Sequence, residues 1–316
     1  MRAGVAPFTG LLRALAAVVL VAIIVAGCGN RAAAVPPGPT PDPDAIEVVA
    51  TTSVLADLVA QVGGTRVDVH SLVPKGGEVH TFDPTTADVE RISRADLIVR
   101  NGLGLDDWLT ALVEDAGTAA PVVALGEHLA GVTYLEGEGG PGSTNPHVWM
   151  NVAYASRYVD AIEAALTAAD PAHADAITAR ATAYRAQLAV LDGEIRDRLA
   201  AVPVADRSVV SFHDAFPYFA AAYGLTIVGT VVDAPGQDPS AGAIGDLIRA
   251  MRASGAKVIF SEAQFNDALV QAIAADAGAV VVNDLYDDTL GNAPADTYAG
   301  MMRWNADRVI EAVSGA

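Results

Sequence analysis

The chain reads as an α/β protein of two domains, each a parallel sheet flanked by helices, joined by one long helix. Three features predict this architecture. From Ile46 onward, short β-branched runs alternate with helical stretches, the pattern of parallel strands and crossover helices. The same order of elements recurs about 160 residues later, and a single amphipathic stretch of about 30 residues separates the two series. A length of 316 residues suits two domains of ordinary size, each burying its own core.

In the first half, EVVATT (Glu47 to Thr52) is a strand. SVLADLVAQVGG is a helix closed by Gly63 and Gly64. RVDVHSLVP is the next strand; a helix from Thr85 to Arg94 leads to ADLIVRNG, and another from Asp106 to Glu114 leads to PVVALG. In the second half SVVSF (Ser208 to Phe212) is a strand, HDAFPYFAAAYG a helix with a glycine stop, and LTIVGTVV a strand. A helix ending near Ser254 leads to AKVIFSE, and NDALVQAIAADAG leads to AVVVNDL. Val48 and Val209 lie 161 residues apart, Ile98 and Val258 160, and Val122 and Val280 158, which indicates a weak internal repeat. Between the halves, Ile177, Ala181, Tyr184, Leu188, Leu191, Ile195 and Leu199 recur at steps of three and four. A helix of that length spans about 45 Å, enough to bridge both domains. The expected boundaries are 46–168 for the first domain, 169–203 for the linking helix and 204–316 for the second.

The N-terminus stands apart. Arg2 and Arg13 precede an apolar run from Ala14 to Val25 that stops at Ala26, Gly27 and Cys28, as in an export signal covering residues 1–28. The run is shorter than the ~20 residues a membrane-spanning helix needs. VAGC resembles the lipobox of bacterial lipoproteins, which implies a lipid on Cys28, the single cysteine of the chain, and a place on the outer face of the cell membrane. Residues 29–45, with PPGPTPDPD, are expected to be a solvated tether. The formal charge of −19, from 38 acidic and 19 basic residues, argues against a nucleic-acid partner and favours cations nearby. A monomer is expected.

Six histidines are present, and position separates them. His70 lies inside a strand, His128 in the helix-like segment EHLAG and His173 at the start of the linking helix; these are read as structural. His80, His147 and His213 instead fall in stretches beyond strand ends, where ligands gather in open parallel sheets. Asp288 follows AVVVNDLY at the end of a strand in the second half. Each half then supplies two ligands, which places the expected metal site in the cleft between the domains. Three neutral imidazoles and one carboxylate suit four-coordinate zinc. The absence of a thiolate disfavours copper(I), and manganese or iron(II) stays open if Asp288 binds with both oxygens.

Five motifs then carry a resemblance in order and spacing: GGEVHTFDP around His80, NPHVWMN around His147, SFHDAFPYF around His213, SEAQF at Glu262 and LYDDTLG around Asp288. From about Ile46 to the C-terminus the chain resembles the zinc and manganese receptors of bacterial ABC importers. The resemblance implies a solute-binding receptor rather than an enzyme, partnered by a membrane permease. It implies the same ligands, His80, His147, His213 and Asp288, with Asp288 resting more on the motif than on strand-end position. Asp287 is the nearest competitor for the fourth place. Glu262 is either a partner that orients an imidazole through its other ring nitrogen or a structural residue. Glu78-Val79 stands where many members have Asp-Pro, and GVTYLEGEGGPGSTNP lacks the histidines common before the second ligand of zinc receptors. His213 stands where manganese receptors resemble one another in having a carboxylate, so zinc is preferred over manganese or iron(II).

Two other functions compete. A zinc metallohydrolase needs an open coordination position and a general base, and the sequence shows no HExxH. An adhesin with an incidental metal leaves no readable mark. Because imidazoles bind metal only when neutral, affinity is expected to fall as pH drops through about 6.5.

Overall fold

The β-branched runs form two four-stranded parallel sheets in a computed structural model that describes Met1 and residues 40–137 and 142–315. The export signal, the lipobox and Cys28 lie outside the described residues. In the first sheet β1 (Ile46–Ala50), β2 (Val67–Ser71), β3 (Leu97–Arg100) and β4 (Val122–Ala124) take the order β2-β1-β3-β4. In the second, β5 (Ser208–Ser211), β6 (Thr226–Thr230), β7 (Val258–Glu262) and β8 (Val280–Leu285) take the order β6-β5-β7-β8. The two orders are the same pattern four strands apart. The register repeats as well: Ile98 pairs with Val122, and its counterpart Val258 pairs with Val280.

Both faces of each sheet are covered, which is why the strands read as continuous apolar runs rather than alternating ones. In the first lobe Val48, Ala50, Leu97 and Val99 face a core shared with α1 (Ser53–Gly63) and α4 (Val152–Ala169). Val49 and Ile98 face the other way, onto α2 (Thr86–Arg94) and α3 (Leu109–Ala116). The second lobe does the same. Val209, Val258 and Phe260 join the large shared core, while Val210 and Ile259 pack with α7 (Ala241–Ser254) and α8 (Ala268–Ala277).

The linking helix is α5 (Ala174–Ala200), preceded by a 3₁₀ turn at Pro171–His173. Its 27 residues span about 40 Å, and the seven residues of the periodic stripe are its buried ones. It packs on α1 and α4 of the first lobe and on α6 (Pro217–Tyr223) and α9 (Tyr298–Gly315) of the second, so one apolar stripe seals both halves. No helix among the described residues is long and apolar enough to cross a membrane.

Three sequence expectations are corrected. The helix expected from His213 starts at Pro217, whose fixed φ suits a first helical position and leaves residues 213–216 as a turn. His128 is not helical and adopts φ 57°. The stretch expected to be a free tether up to residue 45 is held at its end: Arg66 binds the carboxylates of Asp42 and Asp44, and the Asp42 N–H donates to the Thr65 carbonyl at 2.8 Å.

Leu191 is fully buried in the middle of the α5 stripe. Leu191→Ala is expected to destabilise the metal-free protein by about 2–5 kcal/mol, the range for a leucine truncated in a packed core, read as a lower midpoint in urea unfolding.

Candidate metal centre

Each loop that carries a candidate ligand leaves the carboxyl end of a strand and stops at a structure that fixes its length. The His80 loop follows β2 and ends at the Thr85 capping box, where the Asp88 carboxylate accepts from the Thr85 N–H at 2.8 Å. The stretch that carries His147 ends at Asn151, whose side chain caps α4 by accepting from the N–H groups of Ala153 and Tyr154. His213 occupies the turn between β5 and α6. Asp288 follows β8, and its loop is tied to the first lobe: the Leu290 N–H donates to Ser53 Oγ at 2.9 Å, and the Gly76 N–H, at φ 77°, donates to Thr289 Oγ1 at 2.7 Å.

These loops bring His80, His147, His213 and Asp288 together, with one ligand-type atom from each lying within 4.8 Å of the others. The ring centroids of the three histidines are 5.4 to 5.8 Å apart. Asp288 presents both oxygens, Oδ2 at 3.2 Å from His80 Nε2 and Oδ1 at 3.4 Å from His147 Nε2. His147, His213 and Asp288 are buried and His80 is partly exposed. The Nε2 atoms of all three histidines and both Asp288 oxygens are enclosed without a hydrogen bond. His70, His128 and His173 take no part; His173 Nδ1 sits 2.8 Å from Asp170.

Neighbours set the orientation of each ring. Asn145 donates its Nδ2 to the Asp214 carbonyl at 2.6 Å, which turns its amide oxygen to His147, 3.1 Å from Nδ1. That oxygen only accepts, so Nδ1 carries the proton and Nε2 presents its lone pair to the centre. Behind His213, Glu262 Oε1 lies 3.4 Å from Nδ1 at the end of β7. The His80 N–H donates to Glu78 Oε1 at 2.9 Å, and the Trp108 indole holds the adjacent Val79 carbonyl at 3.2 Å. Across the lobes, the Trp149 indole donates to the Asp287 carbonyl at 3.0 Å, and the Tyr298 hydroxyl donates to the Trp149 carbonyl at 2.7 Å. Asn145 and Trp149 escaped the sequence reading. The usable signal was proximity, since both stand two residues from His147 in a turn that has to hold an imidazole.

Charge is shared tightly here. Burial pushes the His213 imidazole down, but the Glu262 carboxylate, with Asp287 and Asp288, overrides it and holds the group up at about 10. Burial drives Glu262 up to about 7 against the pull of His213. Asp288 stays far below the ordinary carboxylate range: burial opposes this, and His147 and His80 outweigh it. Glu78 rises to about 7 through burial and the charge of Asp288.

A two-lobed α/β scaffold with three imidazoles and a carboxylate converging between its lobes defines a metal-binding receptor. The model of the family described as zinc-uptake complex component A, periplasmic, matches residues 48–312, and the chain belongs to that family. It is a metal-binding substrate-binding protein of an ABC importer, and its family comprises receptors rather than enzymes. It is 29% identical over 299 residues to the manganese-binding lipoprotein MntA of Halalkalibacterium halodurans, covering 94% of this chain and 97% of that one. The iron ABC transporter substrate-binding lipoprotein MtsA of Streptococcus pyogenes is 29% identical over 279 residues, covering 86% of this chain and 90% of its own length. Among solved structures, the periplasmic zinc-binding protein TroA of Treponema pallidum superposes with a TM-score of 0.78 at 29% identity, covering 85% of this chain and 99% of that one. A manganese-bound periplasmic metal-binding protein of Candidatus Liberibacter asiaticus superposes with a TM-score of 0.77 at 25% identity, with the same coverage.

A cation must displace the protons that the imidazoles hold. His213 is raised above the ordinary value of 6.5, so it stays protonated at neutral pH and loses its proton only as pH rises towards about 10. Affinity is therefore expected to keep rising from pH 7 to pH 9, about tenfold per unit for each proton displaced. This window lies above the one near 6.5 that unperturbed histidines predict. Titration calorimetry at pH 7.5 in buffers of different ionisation enthalpy should show at least about one proton released per cation; no release, with flat affinity above pH 7.5, contradicts the charge arrangement.

Proposed function

We propose that the chain captures zinc(II) outside the cytoplasm, on the outer face of the membrane to which a lipid on Cys28 anchors it, and delivers it as a monomer to the permease of an ABC importer. His80, His147, His213 and Asp288 are the ligands. The observation that carries this reading is the closeness of three imidazole nitrogens and one carboxylate, all within 4.8 Å, with three of the four residues buried. Four protein ligands close a tetrahedral sphere around a borderline ion. Nothing is then left open for the activated water a hydrolase requires. Two ligands come from each lobe, so capture ties the lobes together, and release follows when the permease draws them apart. The lipoprotein names of the relatives support the anchor.

A manganese or iron(II) receptor is the second reading. It is favoured by Asp288, whose two oxygens face different histidines and can bind together to raise the coordination number. The relatives are named for all three metals.

His147→Ala removes a buried ligand whose ring is locked by Asn145. It is expected to weaken zinc binding at least about a hundredfold, equivalent to about 2.7 kcal/mol, while the metal-free variant keeps the wild-type circular dichroism spectrum. Elemental analysis of protein purified without added metal, followed by titration with zinc in competition with manganese, checks both claims. Unchanged tight binding in the variant sinks the ligand assignment, and a preference for manganese sinks zinc.

A further inference from the structure

A second set of ligand-type atoms lies behind the first. One atom each from His213, Glu262 and Asp287 fall within 4.8 Å of one another, and all three residues are fully buried. Neither oxygen of Glu262 makes a hydrogen bond, nor does Asp287 Oδ2. His213 stands between the two carboxylates, with Nδ1 3.4 Å from Glu262 Oε1 and Nε2 3.4 Å from Asp287 Oδ2. Asp287 is held in place from both sides: Gln264 Nε2 donates to its Oδ1 at 3.3 Å, and the Trp149 indole holds its carbonyl. Glu262 and Asp287 do not come within that distance of His80 and His147 as one set, and the two sets share His213.

We propose that His213, Glu262 and Asp287 form a second, inner position for a divalent cation of harder character than zinc, used in alternation with the four-residue centre. This rests on the reading of that centre as a cation site. Two carboxylates and one imidazole form a set for ions that favour oxygen, of which manganese(II) is the convenient probe. Buried carboxylate oxygens without donors are costly, and a cation satisfies several at once. Alternation follows from the shared ring. A neutral imidazole offers one lone pair, because its other nitrogen carries the proton, so His213 cannot serve both spheres together. The arrangement also differs in its origin. The outer centre takes two ligands from each lobe, whereas the inner one draws all three from the second lobe. A cation that loses His80 and His147 when the lobes separate therefore keeps a seat in the second lobe.

The test uses the full chain carrying His80→Ala and His147→Ala together, which strips the first lobe's ligands from the outer centre. Titration with manganese(II), followed by loss of the electron paramagnetic resonance signal of the free ion, should show one weak equivalent retained. Adding Glu262→Gln or, separately, Asp287→Asn should weaken that binding at least about tenfold. Circular dichroism melting of each metal-free variant checks its fold. Anomalous scattering from manganese in crystals of the double variant, expected within bonding distance of Glu262 and Asp287 and beside the His213 ring, decides the matter if either added substitution unfolds the chain. No binding by the double variant, binding indifferent to both added substitutions, or manganese located elsewhere overturns the inner position. Wild-type protein titrated with zinc in parallel separates the two readings: if it binds no cation, the outer centre fails as well.

Discussion

Imidazole nitrogens and carboxylate oxygens buried between the lobes without hydrogen bonds set the terms for everything around them. Each such atom left unsatisfied costs about 1–3 kcal/mol, and a domain's net stability is only about 5–15 kcal/mol. The Nε2 atoms of His80, His147 and His213 and both oxygens of Asp288 would together consume that margin. Their nearest polar neighbours are one another, at 3.2 to 3.4 Å for the pairs that Asp288 forms with His80 and His147. Protons shared between imidazole and carboxylate relieve part of the strain, which is why His213 is held high and Asp288 low. A divalent cation at the proposed site would satisfy these lone pairs, so the atoms that destabilise the metal-free centre are the ones proposed to bind its cargo.

The scaffold exists to make that burial possible. Two parallel sheets of the same order present the ends of their strands to one region, so loops that follow β2, β4, β5 and β8 converge there. The long α5 stripe packs against helices of both lobes and fixes how they meet. Polar ties then cross the junction close to the ligands. Ser53 holds the loop of Asp288 through the Leu290 N–H, and Trp149, two residues beyond His147, holds the Asp287 carbonyl. Each tie links a loop that carries a candidate ligand in one lobe to the other lobe.

Much of this was legible in the residues. The β-branched runs marked all eight strands because both sheet faces are covered, and the three- and four-residue spacing on α5 named the seven residues that are buried. His80, His147 and His213 could be singled out because strand ends are where parallel sheets expose backbone and space. What stayed hidden was contact between residues far apart in the chain. Asn145 had no role assigned to it, and its value lies in donating to Asp214, 69 residues on. Trp149 stood only as a letter of the NPHVWMN motif, yet its indole N–H reaches a carbonyl 138 residues away. Local pattern also misjudged the turn at His213, where the proline at 217 marks the helix start rather than an interruption. Glu78 registered only as a departure from a motif, although it accepts from the His80 N–H.

Three imidazoles and a carboxylate from two lobes are proposed to surround a single cation. X-ray absorption fine structure at the zinc edge, on protein loaded with one equivalent, tests it most directly. It should show the multiple-scattering signature of three imidazoles with one or two oxygen neighbours at about 2.0–2.2 Å. A first shell with fewer than two imidazoles, or one made of oxygen alone, would contradict it.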